Sequence, residues 1–198
     1  RYDPADHYRM QLEVIGGPAF DAEAPPSFAI WIENRSGYHI KSLHHSSPDP
    51  AGQLPYWHYK RSEYLKYKQR QEDMTEAERS AELDAVSSAT ENDSFDPTDY
   101  IVPDDPEREA PYRVMIEINQ LGDGNDYHQD QPSVIYSVEV DNKDPRTFQV
   151  LEIEGYPKPE TREGEEHWNL HFIDETISTA FDLIDSALLQ IERDNPSI

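Results

Sequence analysis

The chain contains no cysteine. Disulfides, iron–sulfur clusters and thioether-linked haem on this polypeptide are therefore excluded, and thiols say nothing about its compartment. Positive charge is scarce: 17 Lys and Arg stand against 41 Asp and Glu, a formal net charge of −24. A surface of that sign repels phosphate backbones and anionic bilayers, which argues against nucleic-acid binding. The acids run through the whole chain and do not gather in a tail. That distribution fits a salt-adapted source, with a cationic partner as the other explanation. Glycine is rare, at 8 residues against 16 prolines, a balance that favours a loop-rich, mostly β protein over a helical bundle. No apolar run approaches the roughly 20 residues that span a bilayer. A mean hydropathy of −0.90 implies an economical core and long loops. P-loop, dinucleotide-binding, nucleophile-elbow and zincin motifs are all missing, and no independent catalytic activity is expected.

What is present is strand periodicity. At 198 residues the chain reads as one domain over 1–198 with an insertion at about 46–111. In YRMQLEVI (Tyr8 to Ile15), Met10, Leu12 and Val14 alternate with Arg9, Gln11 and Glu13, a half-buried strand. In SFAIWIEN (Ser27 to Asn34), Phe28, Ile30 and Ile32 face one way and Ala29, Trp31 and Glu33 the other. RSGY then turns the chain into HIKSLH (His39 to His44), whose alternation is weak, and the two strands form a hairpin. Val114, Ile116 and Ile118 share a face of YRVMIEINQ (Tyr112 to Gln120). SVIYSVEVD (Ser133 to Asp141) and TFQVLEIEG (Thr147 to Gly155) read as a second hairpin, and HWNLHF (His167 to Phe172) as a further strand. Ile173, Ile177, Phe181, Ile184, Leu188 and Ile191 recur at helical spacing, which favours a helix over Glu175 to Asp185; ALLQIE could instead close the sheet as a strand. About seven hairpin-linked strands make a mainly β protein: an antiparallel immunoglobulin-like β-sandwich with a long loop and helix insertion and a short C-terminal helix.

The insertion carries the candidate chemistry. It opens with the aromatic run Tyr56, Trp57, Tyr59, Tyr64 and Tyr67, interleaved with His58, Lys60 and Arg61. Such a run could stack on an isoalloxazine and pair with its phosphate, or pack as a lid over one end of the sandwich with Trp57 and Tyr64 as anchors. The lid is the preferred reading. Either way, Tyr56, Trp57, Tyr59, Lys60, Arg61 and Tyr64 are the expected partner-binding surface. Thr75 and Glu78 fit a capping box that opens a short helix ending near Leu83. Among the histidines, His44 and His45 are adjacent, with His39 and His58 nearby. His167 and His171 lie four apart on one strand face, so imidazoles from two strands could hold copper or zinc. Neighbours on a strand point to opposite faces, which argues against His44 and His45 chelating together.

The short helix runs into DAVSSATEND (Asp84 to Asp93). A plain turn capped by Asp84 is one explanation. The stretch also resembles the acceptor sequence of extracytoplasmic flavin transferases, in which an Asp precedes a Ser or Thr, then Gly, Ala and a Ser or Thr that receives FMN through a phosphoester. Asp84, Ser87, Ala89 and Thr90 match, and Ser88 stands where Gly is usual. FAIWIEN, SGYHIKSLH, LPYWHYK and DAVSSAT together resemble a family of bacterial periplasmic proteins associated with PepSY-type membrane proteins and FMN-binding proteins in extracytosolic electron transfer. The resemblance covers about Ser27 to Thr90 and is looser beyond. There FDPTDYIVPDD replaces a Trp-Asp-Gly-type turn like that of the flagellar-hook-cap domain. It implies an immunoglobulin-like sandwich, periplasmic export, and an accessory or carrier role beside a membrane redox partner, with covalent FMN at Thr90. A start at Arg1 fits an export segment removed upstream. The alternatives are a cofactor-free interaction subunit docking through residues 56–67 and a small metal-binding protein.

Overall fold

The structure is a computed structural model that describes residues 8–70, 111–141, 146 and 148–193. It is mainly β and antiparallel, built from two sheets, as the alternating patterns require. Strands β1 (Tyr8–Gly16), β2 (Ser27–Asn34) and β3 (His39–His45) come first. A short helix α1 (Pro50–Gln53) and a longer helix α2 (Pro55–Arg70) follow. Then come β4 (Tyr112–Asn119), β5 (Val134–Val140), β6 (Phe148–Val150), β7 (Glu152–Arg162), β8 (Glu165–His171) and β9 (Ile184–Arg193). The larger sheet has the order β3-β2-β4-β5-β7-β8 and the smaller one β1-β9-β6.

Register ties these pairings to sequence parity. Phe28, Ile30 and Ile32 of β2 lie opposite Ile118, Ile116 and Val114 of β4, so one face of the large sheet is continuously aliphatic. Met10, Leu12 and Val14 of β1 lie opposite Ile191, Leu189 and Ala187 of β9, giving the small sheet a matching inner face. These faces meet in the main core, around Ile32, Val114, Ile116, Tyr136, Leu189 and Ile191. The weak alternation of β3 has a structural counterpart: its register against β2 slips at Ile30/Trp31 and again at Ile32/Glu33.

The large sheet is also buried on its other face. Ala29, Trp31, Met115 and Ile135 form a second core with Leu54, Tyr56 and Trp57, flanked by Trp168 and Leu170. Helix α2 contacts both β3 and β8, the outermost strands of that sheet. The sheet therefore curls into a half-barrel around the helix.

Three expectations are corrected. The stretch Thr147 to Gly155 is not one strand beside β5. Phe148–Val150 pairs with β9 in the small sheet, and Glu152 to Gly155 pairs with β5 in the large one. Buried Leu151 is the pivot, its N–H donating to the Ala187 carbonyl. Second, β7 runs on to Arg162 despite Pro157 and Pro159. Residues two apart present their backbone nitrogens to the same strand edge, so only one edge of β7 loses donors, and no described strand pairs with β7 on that side beyond Gly155. Third, the expected helix over Glu175 to Asp185 reduces to a single 3-10 turn at Thr179–Asp182, after which the chain enters β9. The alternative, a closing strand, is what forms. Ala187, Leu189 and Ile191 bury at period two, because β1 and β6 each need a partner between them.

Candidate functional site at the helix–sheet interface

The flavin-acceptor stretch Asp84, Ser87, Ser88, Ala89 and Thr90 lies outside the described residues, as does the capping box at Thr75 and Glu78. The aromatic run is described, and it is a helix. Pro55 occupies its first position, where a missing N–H costs nothing, and neither Gly nor Pro interrupts it afterwards. Asp49 caps the preceding α1, its carboxylate accepting from the Gly52 N–H.

The first turn of α2 holds no acidic residue of its own. The charge that a helix N-terminus favours comes instead from β4. Glu117, fully buried, accepts the Tyr56 N–H at 3.2 Å on Oε1 and the Trp57 N–H at 2.7 Å on Oε2. The Ser133 hydroxyl of the loop before β5 donates to Oε1 at 2.6 Å. Burial pushes the Glu117 carboxyl up to about 7, opposed by these three hydrogen bonds. Two residues along the strand, Asn119 Nδ2 donates to the Gln53 carbonyl at 2.9 Å. The Gln53 side chain in turn accepts from Ser27 and Ser47. The helix entrance is thus fixed by polar side chains of β2, β4 and the loop after β3.

A second polar knot lies further along the helix. Ser42 Oγ of β3 accepts the Trp57 indole N–H at 3.0 Å and lies 2.9 Å from His39 Nε2. A serine hydroxyl this close to an imidazole has the spacing of a nucleophile and its base. Ser42 is 0% and His39 3% exposed, so no reactant reaches them and the pair is structural. Burial, with Arg61 and Lys60 nearby, depresses the His39 imidazole to about 3. His39 is therefore neutral at physiological pH. With its value lowered below the ordinary 6.5, its contribution to stability is complete above pH 6.5 and is lost as pH falls toward 3. The expected result is an imidazole that shows no NMR titration between pH 8 and about 4.5. A midpoint near 6.5 would contradict the packing.

Glu33 of β2 is also buried. It accepts the Trp31 indole N–H at 2.9 Å and lies 3.6 Å from Lys60 Nζ. Burial raises its carboxyl above the ordinary range, while Lys60 opposes that shift. The cations of α2 also cover its own rings: Lys60 lies 5.2 Å over Tyr56, Arg61 5.9 Å over Trp57 and Lys68 5.7 Å over Tyr64.

The six expected partner-binding residues therefore divide. Tyr56 and Trp57 are interior, at 7% and 2% exposure. Tyr64 packs its ring 5.2 Å from that of His39, and the Tyr59 hydroxyl meets His167 Nδ1 at 3.0 Å. Tyr59, Lys60, Arg61 and Tyr64 are half-buried and keep an outer side. The outward face of α2 is made by His58, Glu63, Lys66 and Tyr67, the last 55% exposed. Between α2 and β8 runs a groove of about 280 Å³ lined by His58, Tyr59, Lys66, Glu166 and Trp168. Tyr56 and Trp57 are taken up by the core and do not fit an isoalloxazine. Tyr59 and Trp168 line the groove, where Lys66 is paired with Glu63 at 2.8 Å.

The histidines are dispersed. His44 stacks on Phe28 at 5.0 Å and His45 on Trp57 at 4.8 Å, on opposite faces as neighbours in a strand must be. His167 meets Tyr59, and His171 lies 3.7 Å from Glu160. Among the described residues no three metal-ligating groups converge. The two buried glutamates were not anticipated as site residues. The available signal was an acid two residues after a large buried side chain and on its face of the strand, Glu33 after Trp31 and Glu117 after Met115. No described helix is long and apolar enough to cross a membrane. Comparison with family models, curated proteins and solved structures finds no match.

Proposed function

We propose that the chain is an exported accessory or carrier subunit of an extracytoplasmic electron-transfer system, with Thr90 as the point of covalent FMN attachment. What carries this reading is the acceptor-like sequence Asp84, Ser87, Ala89 and Thr90, and the anchoring of α2 is compatible with it. Glu117, Ser42 and Trp57 hold it on the large sheet, so the chain departs at residue 70 from a fixed place, 20 residues before the acceptor-like Thr90. A scaffold of this kind supplies position and electrostatics, and bound FMN would supply the electron chemistry. The buried ionisable groups serve the helix attachment, which suits a carrier better than an independent enzyme. The test is the intact mass and visible spectrum of protein purified from its own host. A flavin spectrum and an added FMN, both lost in Thr90→Ala, are expected; a colourless protein of unmodified mass rejects the flavin.

The second reading is a cofactor-free subunit that docks through the outer side of α2. It is favoured by one observation: the helix holds five of the 17 Lys and Arg in an otherwise acidic chain and exposes Tyr67 beside Lys66. A stoichiometric partner recovered from native membranes and lost in Lys66→Glu would support it.

A further inference from the structure

We infer that the outer edge of β1 binds a second copy of this chain, the two β1 strands pairing antiparallel about Leu12 so that the small sheet continues from one copy into the other. Among the described residues the two sheets end in four strand edges, those of β3, β8, β1 and β6. Three of these carry features that discourage pairing. β6 is three residues long. β3 slips register twice against β2 and has α2 packed against it. β8 opens with the exposed acids Glu165 and Glu166. β1 has none of these protections. It is nine residues long, contains no proline or lysine, and holds one register against β9 as far as Ile15. Its core-side positions Met10, Leu12 and Val14 are all apolar. The core is also thinly covered on that flank. Leu151 joins β6 to β7, which sets β6 at the β5–β7 end of the large sheet and β1 toward the β2–β3 end. There Met10, Leu12, Phe28, Ile30 and Leu43 are only half-buried and Val14 is 42% exposed, whereas Ala187, Leu189 and Ile191 of central β9 are buried. One more strand beside β1 covers this row.

The sequence of β1 fits its own copy. Leu12 is the midpoint of the strand, and antiparallel pairing there uses all nine positions, with Tyr8 opposite Gly16 at each end. Leu12 meets Leu12 and Met10 meets Val14 on the core side, while Gln11 meets Glu13 on the solvent side, so these acids are not placed directly opposite each other. The contact is isologous and closes at two copies, since it uses up both β1 edges. A net charge of −24 on each copy opposes their approach at low salt, and that repulsion is screened as the Debye length shrinks to about 3 Å at 1 M.

The experiment is sedimentation equilibrium on the full chain from low salt to about 1 M, the range over which screening becomes nearly complete. The mass is expected to rise from 22.9 kDa toward twice that value with salt, and to stay at 22.9 kDa in Val14→Lys, which sets a charge in the core-side row at an exposed position. The register is read by cross-linking, since the parent chain has no cysteine. At high salt under oxidation, an equal mixture of Gln11→Cys and Glu13→Cys chains is expected to form a covalent dimer, and either variant alone to form far less. This arm also serves where Val14→Lys does not fold. A monomer at every salt concentration would overturn the proposal. If its β1 amides were nevertheless protected from hydrogen exchange, a segment of the same chain would be the occupant. A dimer that persists in Val14→Lys, or one in which Gln11→Cys alone cross-links as well as the mixture, would overturn the pairing about Leu12.

Discussion

Replacing Trp57 by alanine is expected to destabilise the fold by about 3–5 kcal/mol, the usual cost of truncating a fully packed Trp. Three losses coincide. The ring fills the second core against Ala29, Trp31, Met115 and Ile135. Its indole N–H is the donor to Ser42, so truncation removes one of the hydrogen bonds that organise the Ser42–His39 pair. Its faces carry Arg61 and His45, which would lose their stacking partner. The expected readout is a large drop in the denaturant midpoint with the slope unchanged. Trp57→Phe should recover most of the packing but not the hydrogen bond, leaving a deficit of about 1 kcal/mol. Tyr67→Ala, on the outward face of the same helix, should stay within about 0.5 kcal/mol of the parent. A Trp57→Ala protein as stable as the parent would mean that the helix is not part of the core.

Gly155→Ala is expected to be the most damaging change at the other end of the large sheet. Gly155 has φ +143°, a conformation that side chains rarely adopt, and a Cβ built there would lie 2.0 Å from the His171 carbonyl oxygen. Neither atom can withdraw, because the obstacle is backbone of β8 and Gly155 is where β7 leaves β5 to pair with β8. Both the strained dihedral and the displaced strand add to the cost, about 3 kcal/mol or more together. Expression of soluble, cooperatively unfolding protein should fail or the midpoint fall sharply. Gly122→Ala and Gly164→Ala provide the comparison. Both glycines have positive φ but nothing within 4 Å of the added carbon, so each should cost about 1 kcal/mol. Equal effects at Gly155 and Gly164 would show that steric approach to His171 is not the controlling factor.

The parts of the fold legible in the sequence are those in which one face of a strand is continuously apolar. β1 and β2 announce themselves by alternation, and the aliphatic face of β4 is visible in Val114, Ile116 and Ile118. The parts that were not legible depend on partners distant in sequence. Helix α2 is aromatic and charged around much of its circumference, with no single apolar stripe, because its inner groups are satisfied by Glu117, Ser42 and Glu33. A local reading of those residues gives a lid over one end of the sandwich; they form instead a helix on the outer face of the large sheet, with Trp57 in a core whose other wall lies on four strands. The sheet switch at Leu151 is hidden because pleat parity is unchanged across it. The C-terminal segment meets two periods at once: Ile184, Leu188 and Ile191 suit a helix, while Ala187, Leu189 and Ile191 suit a strand. The vacant middle of the small sheet decides between them. The flavin-acceptor stretch rests on sequence resemblance alone, since Thr90 lies outside the described residues.

The central structural claim is that α2 belongs to the same cooperative unit as the curled sheet. It is tested most directly by unfolding the protein in denaturant at pH 6 with two probes: fluorescence of Trp57 in a Trp31→Phe, Trp168→Phe background, and the far-ultraviolet signal of the strands. Coincident transitions with one midpoint are predicted. A Trp57 transition that is complete before the strands begin to unfold would contradict the claim.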